Sequence, residues 1–166
     1  MHPASLTAEQ LLAECDVRRT RRSGPGGQHR NKVETAIVLT HRPTGLVAQA
    51  SERRSQAENL AMALSRLRVI LAISQRTDRG GQTSPSELWR SRCPRGRIVV
   101  NPEHDDFPPL LAEALDVLTT CGMDVKGAAE RLACTPSQLT KFLQHEPRAL
   151  AQVNHRRQEL GLSPLR

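Results

Sequence analysis

The sequence predicts an α+β protein. A small, mainly antiparallel sheet of a few strands packs on one long helix, and an all-helical, helix-turn-helix-like bundle follows. Three observations predict this. Cys15–Arg21 reads as a strand, Thr35–Thr40 alternates well and Leu46–Ala50 more weakly, and a turn sequence joins the last two. Leu60, Leu64, Leu67 and Leu71 then recur at helical spacing, with Ala63 and Ile70 beside them. From Pro108 onward every apolar pattern is helical. A chain of 166 residues has room for one ordinary domain or two small ones. The expected division is 1–76 for the mixed part, 77–106 for a basic Gly/Pro/Arg-rich linker or arm, and 107–166 for the helical part.

Taken in order, Thr7 to Ala13 reads as a short helix capped by Thr7, and Cys15 to Arg21 as a strand. Asn31 to Glu34 fits a single helical turn. Arg42-Pro43-Thr44-Gly45 places Pro second and Gly fourth, good chemistry for a type I turn closing a hairpin. Ser55-Gln56-Ala57-Glu58 is a capping box, in which Ser and Glu satisfy orphan amides at the start of the long helix, expected to end near Gln75. Arg76 to Arg97 is rich in Gly, Pro, Ser and Arg. It reads as a basic arm following RNA or as a solvated linker, with the arm favoured because Trp89 lies among Arg90, Arg92 and Arg95. Arg97 to Val100 fits a short strand. Leu110, Leu111, Ala114, Leu115 and Leu118 form one stripe ending near Gly122. Val125–Leu132, Cys134-Thr135-Pro136 and Ser137–Leu143 then have helix-turn-helix spacing, and Pro147–Leu160 is a last helix.

Charge narrows the partners. The net charge is +7, distributed unevenly: residues 1–100 hold 17 Lys+Arg against 8 Asp+Glu, and residues 101–166 hold 7 against 9. Nearly all of the positive charge is Arg, whose planar fork suits bidentate phosphate contacts. A GC-rich coding sequence also favours Arg over Lys, but it does not explain the clustering. Aromatics are limited to Trp89, Phe107 and Phe142, too few for base stacking to dominate, so nucleic-acid contacts are expected at the backbone. Cys15, Cys93, Cys121 and Cys134 include no C-x-x-C pair, so no metal site is expected, and the cysteines read as reduced thiols. With no long apolar segment and no signal-peptide core, the expected location is the cytoplasm, with no membrane partner.

The most informative residues are Gly26-Gly27-Gln28, within Arg21-Arg22-Ser23-Gly24-Pro25-Gly26-Gly27-Gln28-His29-Arg30-Asn31-Lys32. Two glycines and a glutamine make a tip with little bulk, able to enter a crowded pocket. The basic flanks suit a phosphate-rich wall. This stretch resembles the catalytic GGQ loop of class I peptide-chain release factors. The resemblance continues through Thr40-His41-Arg42-Pro43-Thr44-Gly45, Arg54-Ser55-Gln56 and Asn59, and spans about Val17 to Leu71. A second Gly80-Gly81-Gln82 lacks the preceding strand and the following Asn-Lys, and reads as a helix stop and linker.

The resemblance implies hydrolysis of the ester joining a nascent peptide to tRNA. Gly26, Gly27 and Gln28 are the implied catalytic residues. Arg21, Arg22, Ser23, His29, Arg30, Asn31 and Lys32 are the implied rRNA and tRNA contacts. Water is the implied nucleophile, and His29 is a phosphate contact rather than a base. The Gln28 backbone N–H would stabilise the developing oxyanion, a contact typically worth ~3–4 kcal/mol. The Gln28 side chain would line the water site and exclude larger nucleophiles. The implied partners are the large ribosomal subunit, through the rRNA of its peptidyl-transferase centre, peptidyl-tRNA, and a glutamine methyltransferase acting on Gln28. No cofactor is implied, and nothing calls for more than a monomer. No stretch resembles the stop-codon-reading domains of release factors, so a codon-independent rescue or release factor is expected. The basic stretch His155-Arg156-Arg157 is at best a token of the basic tail such factors carry. Two alternatives stand beside this reading. One is a non-catalytic ribosome- or RNA-binding module of the same fold. The other is a helix-turn-helix DNA-binding regulator using residues 108–160, disfavoured by the acidic balance of that half.

Overall fold

The structure, a computed structural model, describes residues 1–20, 35–78 and 84–166. It is α+β and divides into two compact units, Met1 with Pro3–Leu71 and His2 with Ala72–Arg166.

The first unit begins with helix α1, Ala8–Ala13. Thr7 caps it as predicted, and Gln10 completes the box: Thr7 Oγ1 accepts the Gln10 N–H at 3.2 Å and Gln10 Oε1 accepts the Thr7 N–H at 3.0 Å. Strands β1 (Cys15–Thr20), β2 (Ala36–His41) and β3 (Val47–Ala50) form an antiparallel sheet in the order β1-β2-β3. Cys15 lies opposite His41 and Thr20 opposite Ala36, while Ile37 pairs with Ala50 and Leu39 with Ala48. Ile37, Leu39, Ala48 and Ala50 are buried, whereas β1 buries only Cys15. The sheet therefore has one apolar face and an exposed polar edge.

The reversal between β2 and β3 begins one residue earlier than predicted. The His41 carbonyl, not that of Arg42, accepts the N–H groups of Thr44 at 3.2 Å and Gly45 at 2.7 Å. Gly45 makes the second bond possible by adopting φ +70°, a region closed to most side chains. The shift has a cause in the core. The His41 ring is buried, with Nδ1 2.7 Å from Thr44 Oγ1 and Nε2 3.0 Å from Glu14 Oε2, so the last residue of β2 is fixed from both sides.

Helix α2, Gln56–Ser74, buries Ala63, Leu64, Leu67 and Leu71 as the periodicity requires. Leu60, expected at the head of this stripe, is only half-buried, and its place is taken by Asn59, which is fully buried. At the helix start, Ser55 Oγ accepts the Glu58 N–H at 3.4 Å, a weak version of the predicted cap.

The second unit contains α3 (Glu87–Arg92), α4 (Phe107–Thr120), α5 (Val125–Arg131), α6 (Pro136–Gln144) and α7 (Pro147–Glu159). The last four match the sequence expectation closely. The caps are side chains of the expected kind: Asp124 accepts from Lys126 and Gly127, and Thr135 from Gln138. Helix α3 was not foreseen, and Arg97–Val100 is not a strand. The reason is Trp89. Read as part of an arginine-rich arm, it is instead a core residue, 1% exposed, whose indole N–H donates to the Leu132 carbonyl at 2.7 Å. Its ring stands edge-on to Phe142 at 5.8 Å, and Phe107 packs on the same Phe142 at 5.3 Å.

Buried polar groups fix the rest of this unit. Asp116 of α4 pairs with Arg76 at 3.2 Å and accepts the Thr77 N–H at 3.2 Å. The presumed tail residue Arg157 is buried, donating to the carbonyls of Ser163 and Met123, and Asn154 bonds Leu165 in both directions. The His155-Arg156-Arg157 stretch lies in α7, as the predicted last helix has it. Among the described residues, no helix is long and apolar enough to cross a membrane.

Candidate functional site

Gly26, Gly27 and Gln28 lie outside the described residues, as do Arg21, Arg22, Ser23, His29, Arg30, Asn31 and Lys32. The predicted turn Asn31–Glu34 and the second Gly80-Gly81-Gln82 lie outside them too. What the structure describes is the seat on which the first of these segments is mounted.

The seat follows from the sheet register. Thr20 ends β1 directly opposite Ala36, which begins β2. Thr20 and Ala36, on either side of this segment in the sequence, are therefore held a ladder spacing apart at one end of the sheet. The return point is pinned by Asn59. Its Nδ2 donates to the Thr35 carbonyl at 2.6 Å and to the Arg53 carbonyl at 3.0 Å, while its Oδ1 accepts the Arg53 N–H at 3.0 Å. One buried amide thus ties the end of the loop to the segment entering α2. Only an amide side chain supplies both donors and an acceptor in this arrangement.

Around this anchored end stand Arg18 and Arg19 of β1 and Arg53 and Arg54 of the 51–55 segment. All four are exposed, and none makes an ion pair among the described residues. Other arginines of the first unit are occupied. Arg42 donates to the Cys15 carbonyl at 2.9 Å, the Ala13 carbonyl at 2.5 Å and Asp16 at 3.2 Å, and Arg66 donates to the Gln49 carbonyl and to Glu52, each at 2.7 Å. Division of labour between structural and free arginines leaves a local positive field at the base of the loop. Sequence reasoning missed these four. Their positions flanking the motif were visible, but which arginines stay unpaired at this end of the sheet depends on the strand register and on Asn59.

The seat carries no nucleophile of its own. Both ring nitrogens of His41 are engaged, by Thr44 and Glu14. Burial pushes the Cys15 thiol above its ordinary range, which lowers its thiolate fraction. Arg66 holds the Glu52 carboxyl down at about 2, so this group stays charged. Among the described residues, no group of three His, Cys, Asp or Glu is placed to hold a metal ion.

In the second unit a cavity of about 300 Å³ is lined by Leu115, Thr119, Met123, Val153 and Arg156, with Arg76 at its wall. Its arginines are spent internally, Arg76 on Asp116 and Arg156 on Glu159 at 2.7 Å.

Comparison with known proteins matches residues 10–93 to the RF-1 domain family, half of the chain, including the loop segment, the sheet and α2. One similar protein is peptide chain release factor 1 of Xylella fastidiosa (strain 9a5c), 35% identical over 122 residues that cover 64% of this chain and 34% of the relative. Another is the chloroplastic peptide chain release factor PrfB1 of Arabidopsis thaliana, 47% identical over 60 residues, covering 36% of this chain and 13% of the relative. The chain therefore spans about a third of the length of the first relative and less of the second. Family and seat coincide over the same stretch of sequence: this chain belongs to the RF-1 domain family.

Proposed function

We propose that this protein hydrolyses the ester of peptidyl-tRNA on the large ribosomal subunit, without reading a codon, as a rescue or release factor. The observation that carries this is the position of Gly26-Gly27-Gln28 inside the family-matched span, between strand ends paired at Thr20 and Ala36. Supporting it are the free arginines Arg18, Arg19, Arg53 and Arg54 at the base of that segment. They extend the basic set Arg21, Arg22, Arg30 and Lys32 foreseen from sequence, and they suit an rRNA wall.

In this mechanism the protein contributes positioning and electrostatics rather than a nucleophile. Gly26 and Gly27 give the tip its narrow profile. The Gln28 backbone N–H serves as the donor to the oxygen that becomes negative as water attacks the ester carbon. The Gln28 side chain bounds the water site. Ser23, His29 and Asn31 assist in docking to rRNA and tRNA. As water adds, its proton leaves to the surrounding RNA and solvent, and the ester oxygen departs with a proton as the tRNA 3′-terminal hydroxyl. A methyltransferase acting on the Gln28 amide would adjust the fit of the tip. Within this reading the protein works in the cytoplasm, and a monomer suffices.

Single-turnover release tests this reading. Purified protein is mixed with ribosomes carrying peptidyl-tRNA and a vacant A site with no stop codon. Peptide should be freed at a rate rising with protein concentration. Binding without release would instead support a ribosome- or RNA-binding module that lacks turnover.

A further inference from the structure

The second unit carries a charged face that the proposed chemistry does not use. Residues 89–98 run along the turn between α5 and α6. Trp89 is bonded to the Leu132 carbonyl, and the Cys93 thiol lies 3.9 Å from the Ala133 carbonyl. A Cβ on Gly96 would sit 3.5 Å from the Ala133 oxygen, and the Ile98 N–H donates to Gln138 Oε1 at 3.2 Å. This close packing brings the backbone that carries Arg90, Arg95 and Arg97 against the α5–α6 turn, next in sequence to Arg131 at the end of α5, and against α6, which carries Lys141.

All five are exposed, and none makes an ion pair among the described residues. Neighbouring cations are neutralised: Arg92 pairs with Asp106 at 2.6 Å and Arg148 with Glu146 at 2.8 Å. The acidic side chains on the same elements are Glu87 and Glu130, so five cations face two anions. Arg95 holds φ +54°, a region where glycine or asparagine would be easier to accommodate than arginine.

We propose that this α3–α6 face is a second RNA-binding surface, one that grips the phosphodiester backbone of double-helical RNA. Two observations choose the ligand. All three aromatic residues are buried, Trp89 at 1% and Phe107 and Phe142 at 2% exposed, so no platform exists for stacking single-stranded bases. A helix-turn-helix reader of DNA needs the first turn of its second helix free to enter the major groove. Here Gln138 on that turn is bonded to Ile98, and the 94–98 segment lies against it. What remains is backbone contact by guanidinium groups, the mode suited to the A-form helix. The choice of RNA over DNA rests on the ribosomal reading above.

The test uses the full chain and a fluorescent RNA duplex of ~20 base pairs, a length that spans two successive minor grooves. A DNA duplex of the same sequence and a single strand serve as comparators. Wild-type protein should bind duplex RNA most tightly. The variant Arg95→Asn/Arg97→Gln/Arg131→Gln should bind roughly tenfold to a hundredfold more weakly, with a salt dependence shallower by about two to three phosphate contacts. Arg95→Asn alone removes one charge while suiting the left-handed backbone, so it should weaken binding without lowering thermal stability. Wild-type affinity and salt slope in both variants would overturn the proposal, as would equal or tighter binding to duplex DNA. The two claims fail separately. Loss of RNA binding in these variants by a protein that releases no peptide would remove the catalytic reading and leave this surface standing. Unchanged binding in variants of a release-active protein would do the reverse.

Discussion

Asn59 illustrates how much a single residue can determine. Its amide satisfies two carbonyls and one N–H, all from irregular backbone at the root of the family loop. Truncating it to Ala would strand these groups in a buried site, at a cost of about 1–3 kcal/mol for each group left unsatisfied. Asn59→Ala should therefore lower the midpoint of urea unfolding clearly, and Asn59→Asp should do so as well, because it replaces two donors with acceptors. Both should also reduce peptide release beyond the loss in stability, because the return end of the loop loses its anchor. Asn59 was visible in the sequence as part of a resemblance, but its role was not. A polar residue at the head of a leucine stripe looks like the solvated end of a helix until the strand that it bonds is in place. The same limit applied to His41. The sequence marked it as part of a turn, whereas its two ring bonds make it a latch that moves the turn by one residue.

At the scale of elements, the helices of the second half were legible because each carries its own punctuation. Asp124, Thr135 and the prolines that open α6 and α7 mark their helix starts independently of the fold. Helix α3 is short and framed by Pro, Gly and Arg, so local pattern pointed to a loop. Only the cavity that receives Trp89 decides otherwise. Trp89 is the single tryptophan, so intrinsic fluorescence reports on this packing. Emission should be blue-shifted and shielded from acrylamide in the native state, and Trp89→Ala should cost about 3–5 kcal/mol. Burial, together with the nearby Cys93, pushes the Cys134 thiol up to about 12, and burial raises the Cys93 thiol as well. At pH 8 a thiol reagent should therefore label these two cysteines well below the rate of a free thiol.

In the first unit, the ion pair of Glu52 with Arg66 gives a pH test with a defined sign. The folded carboxyl is held at about 2, below its unfolded range. The stability it contributes is thus present above about pH 4.3 and is lost as the pH falls through the folded value. Both side chains are nearly half exposed, so the energy is small. In a carboxyl NMR titration, Arg66→Gln should raise the Glu52 midpoint toward its ordinary range, with the backbone N–H bonds of Ser51 and Glu52 still holding it somewhat down.

For the molecule as a whole, charge is partitioned by use. Structural arginines close ion pairs or cap carbonyls, and free arginines gather at the base of the family loop and on the α3–α6 face. Composition indicated a basic molecule, and its uneven distribution indicated a nucleic-acid partner. Neither could indicate which arginines are spent, because that depends on contacts between residues distant in sequence, such as Arg76 with Asp116. Replacing Arg18, Arg19, Arg53 and Arg54 with Gln should weaken ribosome binding and flatten its salt dependence by about 0.7–0.9 log units per lost phosphate contact. The single-turnover rate at saturating protein should change little.

In the proposed function, the main-chain amide of Gln28 drives ester hydrolysis. A paired substitution followed by single-turnover peptide release at saturating protein tests it most directly. Gln28→Ala keeps the N–H and should retain part of the rate. Gln28→Pro removes the donor and should lower the rate by at least about 10²–10³-fold while ribosome binding persists. Equal loss in the two variants, or full activity in Gln28→Pro, would contradict the account.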